Sequence, residues 1–320
     1  MKKLMMAAAF AATTALAIPA QVHAGDFDVI LLGTGTPPPL MHRFGPATLV
    51  KVNGKMFLFD AGRGATQRMW QMKLKFGKLD YLILTHLHSD HVLGIPDIWL
   101  TGWLRGPYGR RDVPLKLMGP KGTADLAKYL QMAYAWDVNT RVVDQKMSRD
   151  AAKIDAKDIA AGVVYDEGGV KITAFDTNHG KLIKPTLGYR IDYDGRSAVI
   201  SGDTKYSENL IKHAMNVDLL VHSIGAAKQE LLDSAKIWKL ILDHHIQPEE
   251  AGKVFAMAKP KMAAYTHVVA LTNGKIPPVK APELMKRTRT TYDGPLTMGK
   301  DLMTLSIGKD GVTVTEFKKK

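Results

Sequence analysis

Thr85-His86-Leu87-His88-Ser89-Asp90-His91 follows directly on the short apolar stretch from Asp80 to Thr85, which reads as a strand. Three histidines and one aspartate therefore fall within six positions of one tight loop. Alternate residues leaving a strand point the same way, so His86 and His88 converge on one cation, while Asp90 and His91 on the following turn reach a second. A purely structural role would require each of these groups to find its own hydrogen-bond partner while crowded together, and a buried polar group left unpaired is costly.

Working outward, more ligand-type residues stand at the ends of later apolar strands: His179 in Thr177-Asn178-His179-Gly180, Asp203 in Ser201-Gly202-Asp203-Thr204, and His267 in Tyr265-Thr266-His267. A lone histidine after a strand is usually surface. Three such residues beyond the first loop reverse that reading. The chain has no cysteine, which excludes disulfides, thiolate nucleophiles, Cys-ligated zinc and Fe–S clusters, so any metal sits on imidazole and carboxylate.

The 320 residues are 46% hydrophobic and 23% charged, an ordinary globular composition that excludes disorder and collagen-like repeats. Residues 1–24 read as a cleaved signal peptide: basic Met1-Lys2-Lys3, an apolar run from Leu4 to Ile18, and Val22-His23-Ala24 as the cleavage site. A periplasmic or secreted protein is expected, with residues 25–320 as one hydrolase domain and no membrane span after cleavage. The net charge of +13, or +11 once Lys2 and Lys3 are removed, favours anionic partners without specifying a reaction.

Strands and helices alternate in two halves. Asp26 to Leu32 is a strand running into the Gly33-Thr34-Gly35-Thr36-Pro37-Pro38-Pro39 loop, and Asn53-Gly54 and Asp194-Gly195 mark hairpins. Helices are expected over Ala65 to Leu74, His91 to Leu104, Lys121 to Ala133, Tyr206 to Met215, Lys228 to Leu240 and Pro248 to Ala258. Asp137 to Gly168 has too little periodicity to assign. Trp70, Trp99 and Trp103, at helical spacing, read first as core packing and second as a pocket wall. The fold class expected is α/β (α+β), two mixed β-sheets face to face with helices outside.

The seven-residue pattern resembles that of the metallo-β-lactamase-fold hydrolases. The resemblance implies a four-layer αββα sandwich in which His86, His88 and His179 bind one zinc and Asp90, His91 and His267 a second. Asp203 then bridges the two together with a hydroxide nucleophile. Mn or Fe would also suit an N/O ligand set. Leu32-Gly33-Thr34-Gly35-Thr36-Pro37, Phe59-Asp60-Ala61-Gly62 and Gly119-Pro120-Lys121-Gly122 look like the branch containing tRNase Z and type III arylsulfatases. His244 to Gly252, Lys259-Pro260-Lys261, Tyr292-Asp293-Gly294-Pro295-Leu296 and Asp301-Leu302-Met303 are similar to its arylsulfatase side. Two positions depart from the pattern: Ile246 replaces a hydroxyl residue, and Ser223 replaces the acidic residue with which tRNase Z would polarise a catalytic histidine.

The activity expected on these grounds is an exported dinuclear-metal hydrolase of aryl or alkyl sulfate monoesters. A phosphodiesterase is the first alternative, a lactonase or β-lactamase-like ring-opening enzyme the second. The substrate expected is a small anionic ester and not a nucleic acid, and a homodimer is left open. Besides Asp90, the catalytic candidates are His245 and His244, with His222 behind them, as proton donors to the leaving group. Lys181, Lys184 and Arg190 are candidates for holding the non-reacting oxygens of the ester.

Overall fold

The computed structural model describes residues 25–318; the leader expected over residues 1–24 lies outside the described residues. The chain lays down β1 (Phe27–Gly33), β2 (Ala47–Val52), β3 (Lys55–Phe59), β4 (Tyr81–Ile83), β5 (Leu115–Gly119) and β6 (Ile154–Asp158) in one sheet. It then crosses to a second with β7 (Gly162–Glu167), β8 (Val170–Asp176), β9 (Leu187–Tyr193), β10 (Arg196–Ile200), β11 (Leu219–Ala226), β12 (Met262–Ala270) and β13 (Leu296–Met298). Finally β14 (Met303–Gly308) and β15 (Gly311–Thr315) return to the first. The spatial orders are β15-β14-β1-β2-β3-β4-β5-β6 and β13-β12-β11-β10-β9-β8-β7.

Both sheets mix parallel and antiparallel pairs, as expected. The two hairpin turns form where Asn-Gly and Asp-Gly predict them: Asn53 and Gly54 have φ of 47° and 73°, Asp194 and Gly195 of 48° and 71°, the double left-handed conformation that matches strand twist.

Between the sheets Val29, Phe57 and Phe59 of the first meet Ile172, Tyr189 and Val221 of the second. Phe59 lies 5.2 Å from the Tyr189 ring, and the Tyr189 hydroxyl donates to the Leu84 carbonyl at 2.6 Å, so even this polar tip is satisfied in the core. On the outer face of the first sheet lie α1 (Ala65–Gln71), α2 (Ser89–Val92), α3 (Ile95–Trp103), α4 (Thr123–Ala133) and α5 (Ala135–Asp144). Over the second sheet lie α6 (Glu208–His213), α7 (Gln229–Ser234), α8 (Lys236–Leu242), α9 (Pro248–Ala258) and α10 (Ala281–Thr288). The result is the four-layer sandwich.

Several boundaries differ for local reasons. The helix expected over His91 to Leu104 is broken at Gly94, and that over Lys228 to Leu240 at Ala235, whose backbone is extended. The unassigned stretch from Asp137 to Gly168 holds the rest of α5 and the edge strands β6 and β7, and it is where the chain changes sheets. Edge strands bury little, which is why its hydrophobic period was weak. Trp99 and Trp103 are buried, their indole N–H groups donating to the Ala152 and Ser148 carbonyls, while Trp70 is half exposed against Tyr108; all three pack and none walls the site.

Candidate metal centre

Every ligand-type residue picked out of the sequence comes to one rim of the sandwich, each delivered by the end or a distortion of a strand. Beyond β4 the chain carries Thr85 and His86 into the loop, His88 precedes α2, and Asp90 and His91 occupy its first turn. Gly62 lets this turn close down: a Cβ there would come within 2.7 Å of the Asp90 carbonyl oxygen. His179 follows β8 and Asp203 follows β10. His267 lies inside β12 and not at its end. Ser223 pairs with Thr266 and Ile224 with Val268, so His267 is the extra residue of a bulge, with φ of 41°, and its ring is turned into the site.

The rings are fixed by hydrogen bonds on their outward nitrogens. Asp60, at the end of β3, accepts from the Thr85 backbone N–H and from the Thr85 hydroxyl, both at 2.8 Å, and from His91 Nδ1 at 2.7 Å. Because the Thr85 proton is committed to Asp60, the Thr85 oxygen accepts from His86 Nδ1 at 3.0 Å. His179 Nδ1 donates to the His244 carbonyl at 2.9 Å. Each of these assignments follows from the hydrogen-bond network, and each leaves the Nε2 lone pair of His86, His91 and His179 facing inward. His88 Nδ1 lies 3.0 Å from His86 Nε2 and 3.2 Å from His179 Nε2.

A second group forms beside the first. His267 Nε2 is 3.2 Å from Asp90 Oδ2, and His91 Nε2 is 3.7 Å from the same oxygen. Asp203 Oδ2 stands between the groups, 3.3 Å from His267 Nε2, 3.6 Å from His91 Nε2 and 3.8 Å from His179 Nε2. Inward lone pairs this close repel one another unless a cation lies among them. His91 Nε2 and Asp203 Oδ1 are moreover buried without a hydrogen-bond partner. The donor set His86/His88/His179 and Asp90/His91/His267 thus fits a divalent metal site with all-N/O ligation.

The carboxylates around the cluster favour positive charge within it, whether a proton on His91 or a metal ion. Burial opposes the ionised form of Asp203, but His267 and His91 outweigh it and hold the carboxyl well below the usual range. Burial lowers His86 far below the ordinary imidazole value, with the charge on His91 adding to the effect. Burial also opposes charge on His91, yet Asp60 and Asp203 raise its pKa well above that value.

Of the remaining candidates, His245 is close, its Nδ1 4.0 Å from Asp203 Oδ2, and burial lowers it to about 3. His244 gives its carbonyl to His179, and its ring is half-buried at the mouth of two clefts. His222 lines neither cleft: it is fully buried beside Phe255, with its pKa lowered by burial to about 4. Lys181 and Lys184 line one cleft, whereas Arg190 is turned away to Asp192 and the His213 carbonyl.

Asp60 was not among the candidates taken from the sequence. Its role depends on Thr85 and His91, 25 and 31 positions away, and the only sequence sign of it is an aspartate closing a strand before Ala61-Gly62. Outer partners of this kind orient a ligand and raise its basicity, so Asp60→Ala is expected to weaken metal affinity by about 10- to 100-fold. Competition with a chromophoric chelator measures this, and unchanged affinity would remove Asp60 from the centre.

The sequence profile of the beta-lactamase superfamily domain matches residues 55–268. The chain belongs to the metallo-β-lactamase superfamily. It is 31% identical to ribonuclease Z of Mycolicibacterium gilvum (strain PYR-GCK) over 277 residues, 86% of this chain and 94% of that one. To ribonuclease Z of Mycobacterium avium (strain 104) it is 36% identical over 251 residues, 78% and 88% of the two chains. Human tRNase Z, short form, has the same fold: TM-score 0.64 and 22% identity, covering 88% of this chain and 99% of that one.

These relatives correct the sulfate-monoester expectation, and with it the arylsulfatase resemblance and the exclusion of nucleic acid: chains that match this one nearly end to end are ribonucleases Z. The residues behind the misreading belong largely to the frame. Pro248–Ala258 is helix α9, Lys259 ends it in a left-handed conformation, and Tyr292 packs on Phe255. Asp301 binds Arg68. From that C-terminal pattern His244 and His245 line the cleft beside the cluster.

Proposed function

We propose that this superfamily member is a metal-dependent phosphodiester hydrolase that cuts RNA. The observation that carries the reading is the near end-to-end similarity to ribonucleases Z, joined to a seven-residue His/Asp cluster at the rim of the sandwich. In this proposal His86, His88 and His179 would hold one divalent ion and Asp90, His91 and His267 a second, with the Asp203 carboxylate within reach of both groups. Zinc suits that N/O set. Two such ions supply Lewis-acid polarisation of the phosphoryl oxygens and a water of lowered pKa.

The protein's own part is positioning and proton management. Asp60, Thr85 and the His244 carbonyl hold three imidazoles in the tautomer that aims Nε2 inward. His245, with a pKa of about 3, is neutral at pH 7 and so is no imidazolium donor. His244, half-buried at the cleft mouth, is the better-placed proton donor to the leaving oxygen. His244→Ala should therefore lower kcat on RNA by about 10²- to 10⁴-fold, and on bis-p-nitrophenyl phosphate, whose leaving group needs no proton, by much less. Equal losses on both substrates would point to a structural role for His244 instead.

The chain has Ser223 where the resemblance to tRNase Z implies an acidic residue, so the proposed substrate is RNA as a phosphodiester polymer and not specifically a precursor tRNA. Export, proposed from the leader pattern of residues 1–24, places that RNA outside the cytoplasm; a chain recovered from the periplasm should begin at Gly25, and a cytoplasmic chain retaining Met1 would refute export. To test the activity, a labelled oligoribonucleotide is incubated with the zinc-loaded protein, with a chelator, and with Asp90→Ala. Fragmentation in the first alone is expected. Intact RNA in all three would overturn the proposal.

A further inference from the structure

Two clefts of opposite character meet at the metal centre. One, of about 450 Å³, has the cluster as its floor and an apolar wall made by Trp238, Ile241, Val269, Leu271, Pro37 and Pro38. The other, of about 920 Å³, is lined by Lys181, Lys184 and Lys205, faced by a single acidic side chain, Asp243. His88 and His244 line both, so the clefts join beside the reacting centre. The indole of Trp238 is held against Leu231 and Leu242 by the packing of α7 and α8, and it is only half-buried.

Neither cleft suits a bare phosphodiester alone. The first has the size of a small-molecule site and offers aromatic and aliphatic surface with few polar groups, which a charged ester cannot use. The second offers cationic groups in a row, and its one internal pair, Lys205 to Asp243 at 2.9 Å, has its carboxylate well exposed, where an ion pair is weak and readily exchanged for a phosphate contact. A nucleotide chain has both characters. Each base has a π-face that stacks on an aromatic side chain whatever its sequence, and each linkage carries one negative charge.

We propose that single-stranded RNA crosses the metal centre with one nucleobase of the scissile linkage stacked on Trp238 in the apolar cleft and the adjoining phosphates running along Lys181, Lys184 and Lys205. This rests on the phosphodiesterase reading and adds to it a substrate geometry and a positioning residue. Because the apolar wall adds just the Thr36 and Thr272 hydroxyls to the histidines and carboxylates of the centre, recognition there is by stacking, and all four bases are accepted. Trp238 is a positioning residue; it touches the base and not the reacting atoms.

The test uses fluorescence anisotropy of the full protein with labelled hexaadenylate and with the same ribose-phosphate chain lacking all its bases. Wild type is expected to bind hexaadenylate about tenfold more tightly than the abasic chain, within the range of one base–aromatic stack. Trp238→Ala should abolish that difference and Trp238→Phe should keep most of it, which separates stacking from misfolding. Replacing Lys181 and Lys184 together by Ala should weaken both ligands equally and lower the salt slope of binding by about 1.4, the value for two single-strand phosphate contacts. Equal affinity of wild type for the two chains, or a difference that survives Trp238→Ala, overturns the assignment; if both chains bind and RNA is still cut, phosphodiesterase activity stands without it. Failure of hexaadenylate to bind, with RNA left uncut, overturns both readings.

Discussion

Asp203→Ala is expected to lower hydrolysis by at least about a thousandfold while leaving the sandwich folded. The carboxylate lies within 4 Å of imidazoles from both ligand sets: His179 of the first, His91 and His267 of the second. Its second oxygen is buried without a partner. A loss of about 4 kcal/mol of transition-state stabilisation, a modest share of what a Lewis-acidic centre contributes, already amounts to a thousandfold. Asp203→Asn keeps the volume but neutralises the charge and turns an N–H₂ group toward a site built for a cation, so it should fail nearly as badly. Measured kcat/KM, with circular dichroism to verify folding, decides the matter; an Asn variant within tenfold of wild type would show that the shared charge is not required.

The second large effect is on stability and lies outside the cluster. Asp301→Ala should destabilise the protein by about 3–5 kcal/mol, the usual consequence of removing one partner of a buried ion pair. Asp301 Oδ2 accepts from Arg68 Nη2 at 2.8 Å and Nε at 3.1 Å and from the Phe44 N–H at 2.7 Å, while Oδ1 accepts from the Thr34 N–H and hydroxyl. The side chains of Asp301 and Arg68 are 5% and 13% exposed. Truncation strands the Arg68 guanidinium and two backbone N–H groups, and it releases the loop through Thr36, Pro37 and Pro38 that forms one wall of the apolar cleft. In thermal unfolding this corresponds to a drop in Tm of about 10 °C. A change within about 2 °C would mean the hub is dispensable.

The metal loop, His179 and Asp203 were legible because each requirement is local: a strand, a tight exit, and a ligand residue just beyond it. The Asn53-Gly54 and Asp194-Gly195 turns were legible for the same reason, since their backbone conformation is set by the two residues themselves. Asp60, Asp301 and Trp238 were not, because what each does depends on partners distant in sequence: Thr85 and His91, Arg68 and Thr34, and the far wall of a cleft. The bulge that presents His267 was hidden as well, because an extra residue in a parallel pair leaves no mark on a hydrophobic run. Residues 137–168 were opaque because edge strands and a surface helix need no period to be stable where they lie. The substrate was misread for a related reason: the C-terminal motifs that suggested sulfate esters mostly cap helices, pair charges and pack rings, and so report the frame more than the ester it cuts.

The most direct test is kcat/KM for an oligoribonucleotide beside that for p-nitrophenyl sulfate, from one zinc-loaded preparation before and after chelation. RNA cleavage that the chelator abolishes and restored zinc recovers is expected, with sulfate ester hydrolysis far slower. Chelator-sensitive cleavage of the sulfate ester with intact RNA would contradict the phosphodiesterase reading.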